Sequence, residues 1–367
     1  MKPKGRDVKF MGLRVNKIVR HVYYYSTGTF LKNKFLAKAK ARLEEFGIQF
    51  ESNEQKQKQL ADMLRMYKLY GFGFDEYLYF HFAGKPMSER LSFVADWEHS
   101  TYTYAMNNRN NDVLFVNKYE TYKKYKKFYK RDVALIEGEK DKENFFSFVD
   151  KHPEFIVKPF NDSAGRGIKI INWGGVTESK NDLFNTLLAD YKNTFLIEEL
   201  IKQSPEMAKF HPSSVNTVRV STVRFDDEIL ILHPFFRTGR GDNCVDNAGA
   251  GGVFGVVDPE SGIVTQVADE KGISYSIHPD TKEKIIGFKI PKWDELISFA
   301  KELAYVTPDN RYTGWDLALT DSGWVMVEGN NMGQFLWQIP TQKGFRDEQN
   351  NILKRLGINR LKLFLSC

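Results

Sequence analysis

Apolar residues recur at helical spacing in the first part of the chain. One set, three to four positions apart, consists of Leu31, Phe35, Ala39, Leu43 and Phe46. A second set consists of Leu60, Met63, Leu64 and Tyr67. Gly47 and Gly71 follow the two sets, where helices commonly end. Residues 1–105 are therefore predicted to form a largely helical region.

The pattern changes near residue 150 to short apolar strands separated by glycine-rich turns. The predicted strands are EFIVKPF (154–160), GIKIINW (167–173), TFLIEEL (194–200), NTVRVSTVRF (216–225), EILILHPFFR (228–237), GGVFGVVD (251–258), GWDLALT (314–320) and WVMVEGN (324–330). Further helices are predicted at 183–191, 293–304, 347–356 and 358–365. Strands and helices alternate without a strict βαβ rhythm, which predicts an α+β fold with mostly antiparallel sheets.

The segment 117–131, NKYETYKKYKKFYKR, is the most basic stretch of the chain. Its aromatic residues, Tyr119, Tyr122, Tyr125 and Phe128, occur at every third position. Aromatics interleaved with lysines can bind nucleic acid. They more often form an apolar helical stripe behind a solvated lysine face. We favour the stripe and expect no nucleic-acid partner, because the net charge is only +6.

Composition indicates which cellular compartment and which class of substrate to expect. The mild positive charge of this 367-residue chain suits an anionic small molecule such as a nucleotide. Cys244 and Cys367 are the two cysteines and form neither a disulfide framework nor a zinc spacing, so we expect a reducing, cytoplasmic location. No apolar run is long enough for a membrane span. The basic start of the chain leaves a peripheral contact with anionic lipid open.

A hairpin near the end of the chain carries a candidate metal site. Asp321-Ser322-Gly323 is predicted as a three-residue loop, with glycine where a positive φ is needed. Pairing outward from this loop sets Thr320 against Trp324, Ala318 against Met326, and Asp316 against Glu328. Strand periodicity then places Asp316, Glu328 and Asn330 on one face. Facing carboxylates repel unless a cation lies between them, and oxygen ligands favour Mg²⁺ or Mn²⁺. The alternative is a solvated face with incidental acids.

A lysine and a glycine-rich loop supply candidate phosphate contacts. Lys158 lies within the apolar strand FIVKP, where a lysine needs an anionic partner or must reach out of the core. The loop 161–167, NDSAGRG, follows it and offers backbone N–H groups to phosphates. Neither a Walker loop nor a G-x-G-x-x-G motif after a strand is present.

Taken in order, these motifs resemble the ATP-grasp superfamily. IVKPFNDSAGRGIKI is similar to its phosphate-binding strand and mobile glycine loop, LIEEL to its adenine hinge, and GWDLALTDSGWVMVEGNN to its metal hairpin. HPSSVNTVRV, VDNAGAGGVFGVVDPESG and GWDLAL resemble the sugar-transfer-associated branch, which is found with surface-polysaccharide genes. The resemblance implies two α/β subdomains that clamp ATP. It places the lid subdomain at 106–200 and the C-terminal subdomain at 201–367.

The resemblance also implies a role for each matching residue. Nucleotide contacts are implied for Lys118, Lys158, Ser163, Gly165, Gly167, Glu198, Glu199, Leu200 and Glu206. Metal ligation is implied for Asp316, Glu328 and Asn330, which would hold two Mg²⁺ ions, with Mn²⁺ as the alternative. Catalytic roles are implied for Arg219, Lys158 and Asn330, and substrate contacts for Asn216, Arg237 and Asn247. Two alternatives to these roles stay open. Glu198 and Glu199 could be solvated acids at a strand end, and Arg219 could have no role beyond bridging acidic side chains.

The implied activity is that of an ATP-dependent carboxylate–amine ligase acting through an acyl phosphate. The expected partners are ATP, a carboxylate such as a sugar acid, and an amine such as an amino acid or amino sugar. Two alternatives stay open: a kinase on the same scaffold that phosphorylates a hydroxyl, and a non-catalytic nucleotide- or glycan-binding protein. The sequence does not determine the substrates or the oligomeric state.

Overall fold

The computed structural model describes residues 28–160, 167–175, 179–333 and 336–359. The chain divides into two compact units. One unit takes the described residues of Met1–Met106, Ala268–Ser274 and Gln334–Cys367, and the other takes the described residues of Asn107–Val267 and Tyr275–Gly333. The predicted boundary between subdomains at residue 200 falls inside the second unit and stays a prediction.

Helices and strands are numbered here in chain order. The described α-helices are α1 (Gly28–Glu45), α2 (Asn53–Arg65), α3 (Phe74–Tyr79), α4 (Met87–Arg90), α5 (Asp96–Met106), α6 (Asp112–Val116), α7 (Lys118–Tyr129), α8 (Lys142–Lys151), α9 (Lys180–Asp190), α10 (Pro205–Ala208), α11 (Trp293–Val306), α12 (Gln338–Thr341) and α13 (Arg346–Arg355). The described strands are β1 (Val133–Glu137), β2 (Glu154–Pro159), β3 (Lys169–Asn172), β4 (Thr194–Glu199), β5 (Thr217–Arg224), β6 (Ile229–Thr238), β7 (Val253–Val257), β8 (Val264–Asp269), β9 (Tyr312–Thr320) and β10 (Gly323–Asn330).

The first unit is built from helices, as the spacing of apolar residues predicts. The Ser52 hydroxyl caps α2 by accepting a hydrogen bond from the backbone N–H of Gln55. The C-terminal segment binds the same unit through several polar contacts. Gln338 exchanges two 3.0 Å hydrogen bonds with the backbone of Val94, and Arg346 forms a 2.6 Å ion pair with Glu98. These contacts explain why residues far apart in the sequence share one unit.

The second unit contains two sheets, of which the smaller has the strand order β1-β4-β2-β3. Its strand pairs are antiparallel. Phenylalanine side chains of α8 and α9 pack on it, and the buried aromatic core consists of Phe145, Phe148, Phe155, Phe184 and Phe195. β1, with the sequence VALIE, is absent from the strands predicted above.

The larger sheet has the order β10-β9-β5-β6-β7-β8. α7 and α11 contribute to the apolar core that covers it, in which Trp293, Leu296, Trp315 and Trp324 are buried. In α7, Tyr122, Tyr125 and Phe128 are buried while Lys123, Lys124, Lys126 and Lys127 are exposed. This is the stripe arrangement favoured from the sequence.

β6 accommodates a proline in a strand with neighbours on both sides. Pro234 cannot donate a ladder hydrogen bond, so an interior strand tolerates it at a bulge. The β5–β6 register shifts between Arg219 and Ser221, opposite His233 and Pro234, and His233 has a φ of 32°. The bulge keeps both halves of this long strand paired with β5.

The β9–β10 hairpin corrects one part of the predicted register. Gly323 pairs with Thr320, so the loop has two residues instead of three, and Trp324 lies opposite Leu319, not Thr320. Ala318 pairs with Val325, not with Met326. A bulge between Met326 and Glu328 then shifts the register by one residue and restores the predicted pair of Asp316 and Glu328. Gly323 has a φ of 99°, the positive value expected for this glycine.

The bulge has a physical reason. Trp324, Met326, Glu328 and Asn330 alternate along β10, so a regular strand would place all of them on one face. Trp324 and Met326 belong to the apolar core, whereas Glu328 lines a cavity. The extra residue, Val327, switches the face between the two pairs.

The predicted fold class is confirmed: α+β with antiparallel sheets and a largely helical N-terminal region. Among the described residues, no helix combines the length and apolar character needed to cross a membrane. The basic N-terminal segment and most of the helix predicted at 358–365 lie outside the described residues.

Candidate functional site

A cavity of about 150 Å³ lies within the second unit, lined by both of its sheets. β2 and β4 contribute one side, and β5, β6, β9 and β10 contribute the other. The structure brings together nine of the residues singled out from the sequence: Lys118, Lys158, Glu198, Glu199, Leu200, Arg237, Asn247, Asp316 and Glu328. Candidates chosen for nucleotide, metal and substrate contacts therefore share one cavity.

The remaining candidates lie elsewhere or outside the described residues. Ser163 and Gly165 fall in the segment 161–166, which the structure does not describe. Gly167 and Glu206 are exposed and do not line the cavity. Asn330 and Arg219 do not line it either, but Asn330 follows Glu328 by two residues and Arg219 binds Asp316, and both of these partners line the cavity.

Asn216 does not reach the cavity, in contrast to the substrate contact implied for it. Its side chain is 0% exposed. The amide nitrogen donates to Gln203 Oε1, Met207 O and His211 O at 3.1, 2.9 and 3.0 Å. The amide therefore ties the 203–214 segment to the start of β5, which is a structural task.

Lys158 is held by a buried carboxylate. Its Nζ donates to Glu198 Oε2 at 2.8 Å, across the β2–β4 pairing. Arg131 contacts the same oxygen through Nε and Nη2 at 3.2 and 3.0 Å. Burial disfavours the charge on Glu198, but Lys158 and Arg131 outweigh it and lower the pKa of Glu198 to about 2. Glu198 is 4% exposed, so the alternative of a solvated acid is wrong for this residue.

Lys118 approaches the same cavity from the start of α7. Asn117 caps that helix, because its Oδ1 accepts from the backbone N–H groups of Tyr119 and Glu120 at 3.1 Å each. The Nζ of Lys118 lies 3.4 Å from the carbonyl oxygen of Pro159, at the end of β2. Two lysine ammonium groups, Lys118 and Lys158, thus line one cavity.

The negative charge of the buried Asp316 carboxylate is balanced by two arginines. Arg219 binds it in a bidentate manner, through Nε to Oδ1 and through Nη2 to Oδ2, the latter at 2.8 Å. Arg237 Nη1 lies 2.9 Å from Oδ1. Burial opposes ionisation of Asp316, yet the two guanidinium groups prevail and lower its pKa to about 2. Arg219 thus takes the bridging position that the sequence analysis weighed as its alternative.

Glu328 lies opposite Asp316 in different surroundings. Burial raises the pKa of Glu328, and the Asp316 carboxylate adds to this, against the attraction of Lys118 and Lys158. Asn330, two residues on, has a buried Nδ2 atom without a hydrogen-bond partner among the described residues. The carboxylates of Asp316 and Glu328 and the side-chain amide oxygen of Asn330 are oxygen ligands of the kind that Mg²⁺ prefers. The residues present therefore fit the expected metal.

Arg237 is anchored by a residue that the sequence analysis did not select. Its Nη2 donates to Asp246 Oδ1 at 2.6 Å and also to Asn247 Oδ1. Asp246 Oδ2 accepts from the Thr217 hydroxyl at 2.5 Å and from its backbone N–H at 3.0 Å. Burial raises the pKa of Asp246, against the attraction of Arg237. The motif VDNAG contained this signal, since Asp246 directly precedes the candidate Asn247.

Glu199 lines the cavity and also contacts a group of polar residues formed by Asp132, Lys151 and His152. Its Oε2 accepts from the backbone N–H of Asp132 at 3.2 Å. Asp132 also binds His152 Nε2 at 2.9 Å and the ammonium group of Lys151. The three side chains of Asp132, His152 and Glu199 come within 4.8 Å of one another, but Lys151 already supplies a cation there.

Arg131 and the apolar cavity residues were also missed. The apolar lining includes Phe115, Ile156, Ile168, Ile201, Val215 and Val327. Ile156 is the cross-strand partner of Glu198, so a pairing of the FIVKP and LIEEL strands would have found it. Arg131 ends the basic stretch 117–131, where its neighbours gave no reason to separate it from the lysines.

Comparison with known proteins identifies a family for this chain. A family model described as sugar-transfer associated ATP-grasp matches residues 98–354. A search of curated proteins found no match.

Solved structures with a similar fold include the D-alanine-D-alanine ligase of Helicobacter pylori, at 16% identity, covering 68% of this chain and 62% of that chain, with a TM-score of 0.42. The D-alanyl-alanine synthetase A of Vibrio cholerae is 11% identical, covers 71% of this chain and 66% of that one, and has a TM-score of 0.39. The ATP-grasp ligase PsnB, solved with a minimal precursor, Mg and ADP, is 12% identical, covers 69% and 62%, and has a TM-score of 0.42.

The family model matches well over half of the chain, so the resemblance stated from the sequence is confirmed. The chain belongs to the sugar-transfer-associated ATP-grasp family.

Proposed function

We propose that this protein uses Mg·ATP to activate a carboxylate as an acyl phosphate and then joins it to an amine. One observation carries the proposal: two lysines, the Glu198–Leu200 strand end and the facing pair of Asp316 and Glu328 all line one cavity. Such a cavity offers cations for phosphates at one side and carboxylates for a metal at the other.

The nucleotide is assigned to the side of the cavity formed by β2 and β4. Lys158 and Lys118 contact its phosphates, and the backbone of Glu199 and Leu200 contacts adenine, with Ile156 and Ile201 as apolar neighbours of the ring. The contacts of Glu198 with Lys158 and Arg131 all use Oε2. Its Oε1 atom makes no hydrogen bond within the described residues and is free to accept from the adenine amino group.

The metal is assigned to Asp316, Glu328 and Asn330. When bound, Mg²⁺ supplies positive charge that offsets repulsion between the phosphates and the attacking carboxylate. Asp316 is shared between this task and its two arginines, so Arg219 and Arg237 lie next to the metal ligands. We assign the guanidinium group of Arg219 to charge on the transferring phosphoryl group.

The acceptor side is assigned to Arg237 and Asn247, which line the cavity together. A guanidinium group with a neighbouring amide suits a carboxylate substrate, because it offers planar N–H donors. The family supports a sugar acid as the carboxylate and an amino acid or amino sugar as the amine, in surface-polysaccharide synthesis. The amine must be neutral to attack, and water must be excluded because an acyl phosphate hydrolyses readily.

The test is ADP and phosphate release from Mg·ATP in the presence of a panel of uronic acids, amino acids and amino sugars. We compare wild type with Glu328→Gln and with the matched control Glu302→Gln, an exposed glutamate on α11. Turnover that needs both a carboxylate and an amine, and that is lost only in Glu328→Gln, supports the ligase.

Hydroxylamine separates the ligase from the kinase. With the carboxylate alone, it traps an acyl phosphate as a hydroxamate, whereas a phosphorylated hydroxyl gives none. ADP release with a hydroxyl acceptor and without hydroxamate would replace the ligase by the kinase. ATP binding without turnover on any member of the panel would favour a binding protein.

A further inference from the structure

The side chain of Arg131, between α7 and β1, has an acceptor for each of the five N–H groups of a guanidinium. Nε and Nη2 donate to Glu198 Oε2 at 3.2 and 3.0 Å. Nη1 donates to Met326 O at 2.6 Å and to Tyr129 O at 3.3 Å, and Nη2 reaches Val327 O at 3.5 Å. One buried side chain therefore connects the end of α7, the nucleotide strand β4 and the metal strand β10.

The contacts with Met326 and Val327 coincide with the β10 bulge. β10 is an edge strand of its sheet, so its outer carbonyl groups have no ladder partner. In a regular strand successive carbonyls point to opposite edges, whereas a bulge disrupts the ladder at the extra residue. Arg131 supplies donors to two successive carbonyls and thereby stabilises the bulged conformation.

This bulge determines where Glu328 points. With Val327 accommodated in the bulge, Glu328 pairs with Asp316. If the strand ran without the bulge, Val327 would take the position opposite Asp316 and Glu328 would turn to the other face. The orientation of the metal-binding carboxylate thus depends on the conformation that Arg131 stabilises.

Nε and Nη2 of the Arg131 guanidinium bind Glu198, on the side of the cavity assigned to the nucleotide. Glu198 Oε2 receives both Arg131 and Lys158, so the three charges form a continuous row beside the cavity. Removing Arg131 would leave a buried carboxylate with one cation in place of two, which draws Lys158 more strongly onto Glu198 and away from a phosphate.

We propose that Arg131 is a positioning residue that couples the metal half of the site to the nucleotide half. It fixes the bulge that aims Glu328 at Asp316, and it shares Glu198 with Lys158. This inference rests on the proposed function for the identity of the ligands, and on the bulge and ion-pair geometry for the role of Arg131.

The test measures ATP binding by calorimetry on the full chain while MgCl₂ is varied. The variants are Arg131→Lys and Arg131→Met. The matched control is Arg90→Met, which removes another buried arginine bound to a carboxylate, Asp62, and to a backbone carbonyl, Lys85 O. Unfolding curves establish that each variant is folded at the assay temperature.

We expect Arg131→Lys to keep a charge beside Glu198 but to lose the planar fork that spans Met326 and Val327. The Mg²⁺ concentration for half-maximal ATP binding should then rise about tenfold or more, as for other residues that orient metal ligands, while ATP affinity at saturating Mg²⁺ changes little. Arg131→Met should weaken both. Arg90→Met should reduce stability and leave the Mg²⁺ dependence of ATP binding as in wild type.

Three outcomes would overturn the positioning role of Arg131. If folded Arg131→Lys shows the Mg²⁺ dependence of wild type, Arg131 has no positioning role and the inference is wrong. If Arg90→Met changes that dependence as much, the effect is one of general stability and the inference fails as well. If wild type binds no ATP at any Mg²⁺ concentration, the proposed function fails first and the inference with it.

Discussion

Asp316 and Glu328 are cross-strand partners, yet their electrostatic surroundings have opposite effects on their charge. Arg219 and Arg237 outweigh burial and lower the pKa of Asp316 to about 2. Burial and the neighbouring Asp316 raise the pKa of Glu328. Two carboxylates with pKa values driven apart are a common property of functional sites. In this protein the ionised partner carries the arginines, and the other is the carboxylate that most needs a cation.

The first prediction compares the stability of Asp316→Asn and Glu328→Gln. Asp316→Asn leaves two buried guanidinium groups without their shared anion, so the free energy of unfolding should fall by about 3 kcal/mol. Glu328→Gln removes a charge that burial disfavours, so stability should stay equal or increase. Urea denaturation without added metal measures both, and equal losses in the two variants would contradict the asymmetry.

The second prediction concerns Lys158. Lys158→Met should raise the dissociation constant of Mg·ATP by about tenfold or more, because a charge-assisted contact with phosphate is lost. The control is Lys169→Met. Lys169 is an exposed lysine on the neighbouring strand β3, and it forms an ion pair with Asp190. Calorimetric titration with ATP measures both. An unchanged affinity in Lys158→Met would remove the phosphate role from this residue.

The third prediction is a pH dependence in the helical unit. Burial raises the pKa of Glu76 from 4.5 to about 8, although the backbone N–H groups of Gly73 and Asp96 favour its charged form. Between these values the folded protein retains a proton that the unfolded chain has released. The stabilisation is therefore fully present below pH 4.5 and is lost as pH rises towards about 8, by about 1.4 kcal/mol for each pH unit.

Urea midpoints at a series of pH values test this dependence. Glu76→Gln mimics the protonated acid and should flatten the curve over that range. Glu44→Gln, an exposed glutamate on α1, should keep the slope of wild type. A wild-type stability that rises between pH 5 and 8 would have the wrong sign and would overturn the assignment of Glu76 as protonated.

The fourth prediction concerns the hairpin turn. Gly323 has a φ of 99°, which an L side chain rarely adopts, so Gly323→Ala should destabilise the protein by about 1–2 kcal/mol. Gly249→Ala is the control, because a Cβ there meets no atom within 4 Å and the backbone has no positive φ. Thermal unfolding compares the two, and an equal effect would show that the turn tolerates a side chain.

Most strand segments, though not β1 and β8, and the Asp316–Glu328 pair could be predicted because they follow from local alternation. The exact register could not, since a three-residue loop and a two-residue loop followed by a bulge bring the same two carboxylates together. The sequence contains a trace of the difference: Trp324 and Met326 are core residues with the same parity as Glu328 and Asn330. Only packing in three dimensions shows that the two pairs need opposite faces.

The site residues that were missed act through other residues. Asp246 and Arg131 do not belong to the motifs that suggested phosphate or metal chemistry, and their importance lies in what they hold: Arg237 in one case, Glu198 and the β10 carbonyls in the other. Asn216 is the opposite case: it belongs to a conspicuous motif, yet its side chain binds backbone carbonyl groups inside the fold and does not reach the cavity. Motif spacing identifies contacts with ligands more readily than contacts between side chains.

The β10 bulge also restricts how the length of this hairpin can vary among related chains. Removing one residue between Trp324 and Met326 would carry Glu328 to the wrong side of the sheet unless the bulge were lost at the same time. Removing Val327 itself would leave Asp316 opposite Glu328 but would eliminate a carbonyl that Arg131 binds. Insertions of two residues in the turn preserve both. Relatives that keep both the bulge and this site should therefore keep the number of residues between Trp324 and Glu328, and those that lack the residue equivalent to Val327 should also lack the arginine.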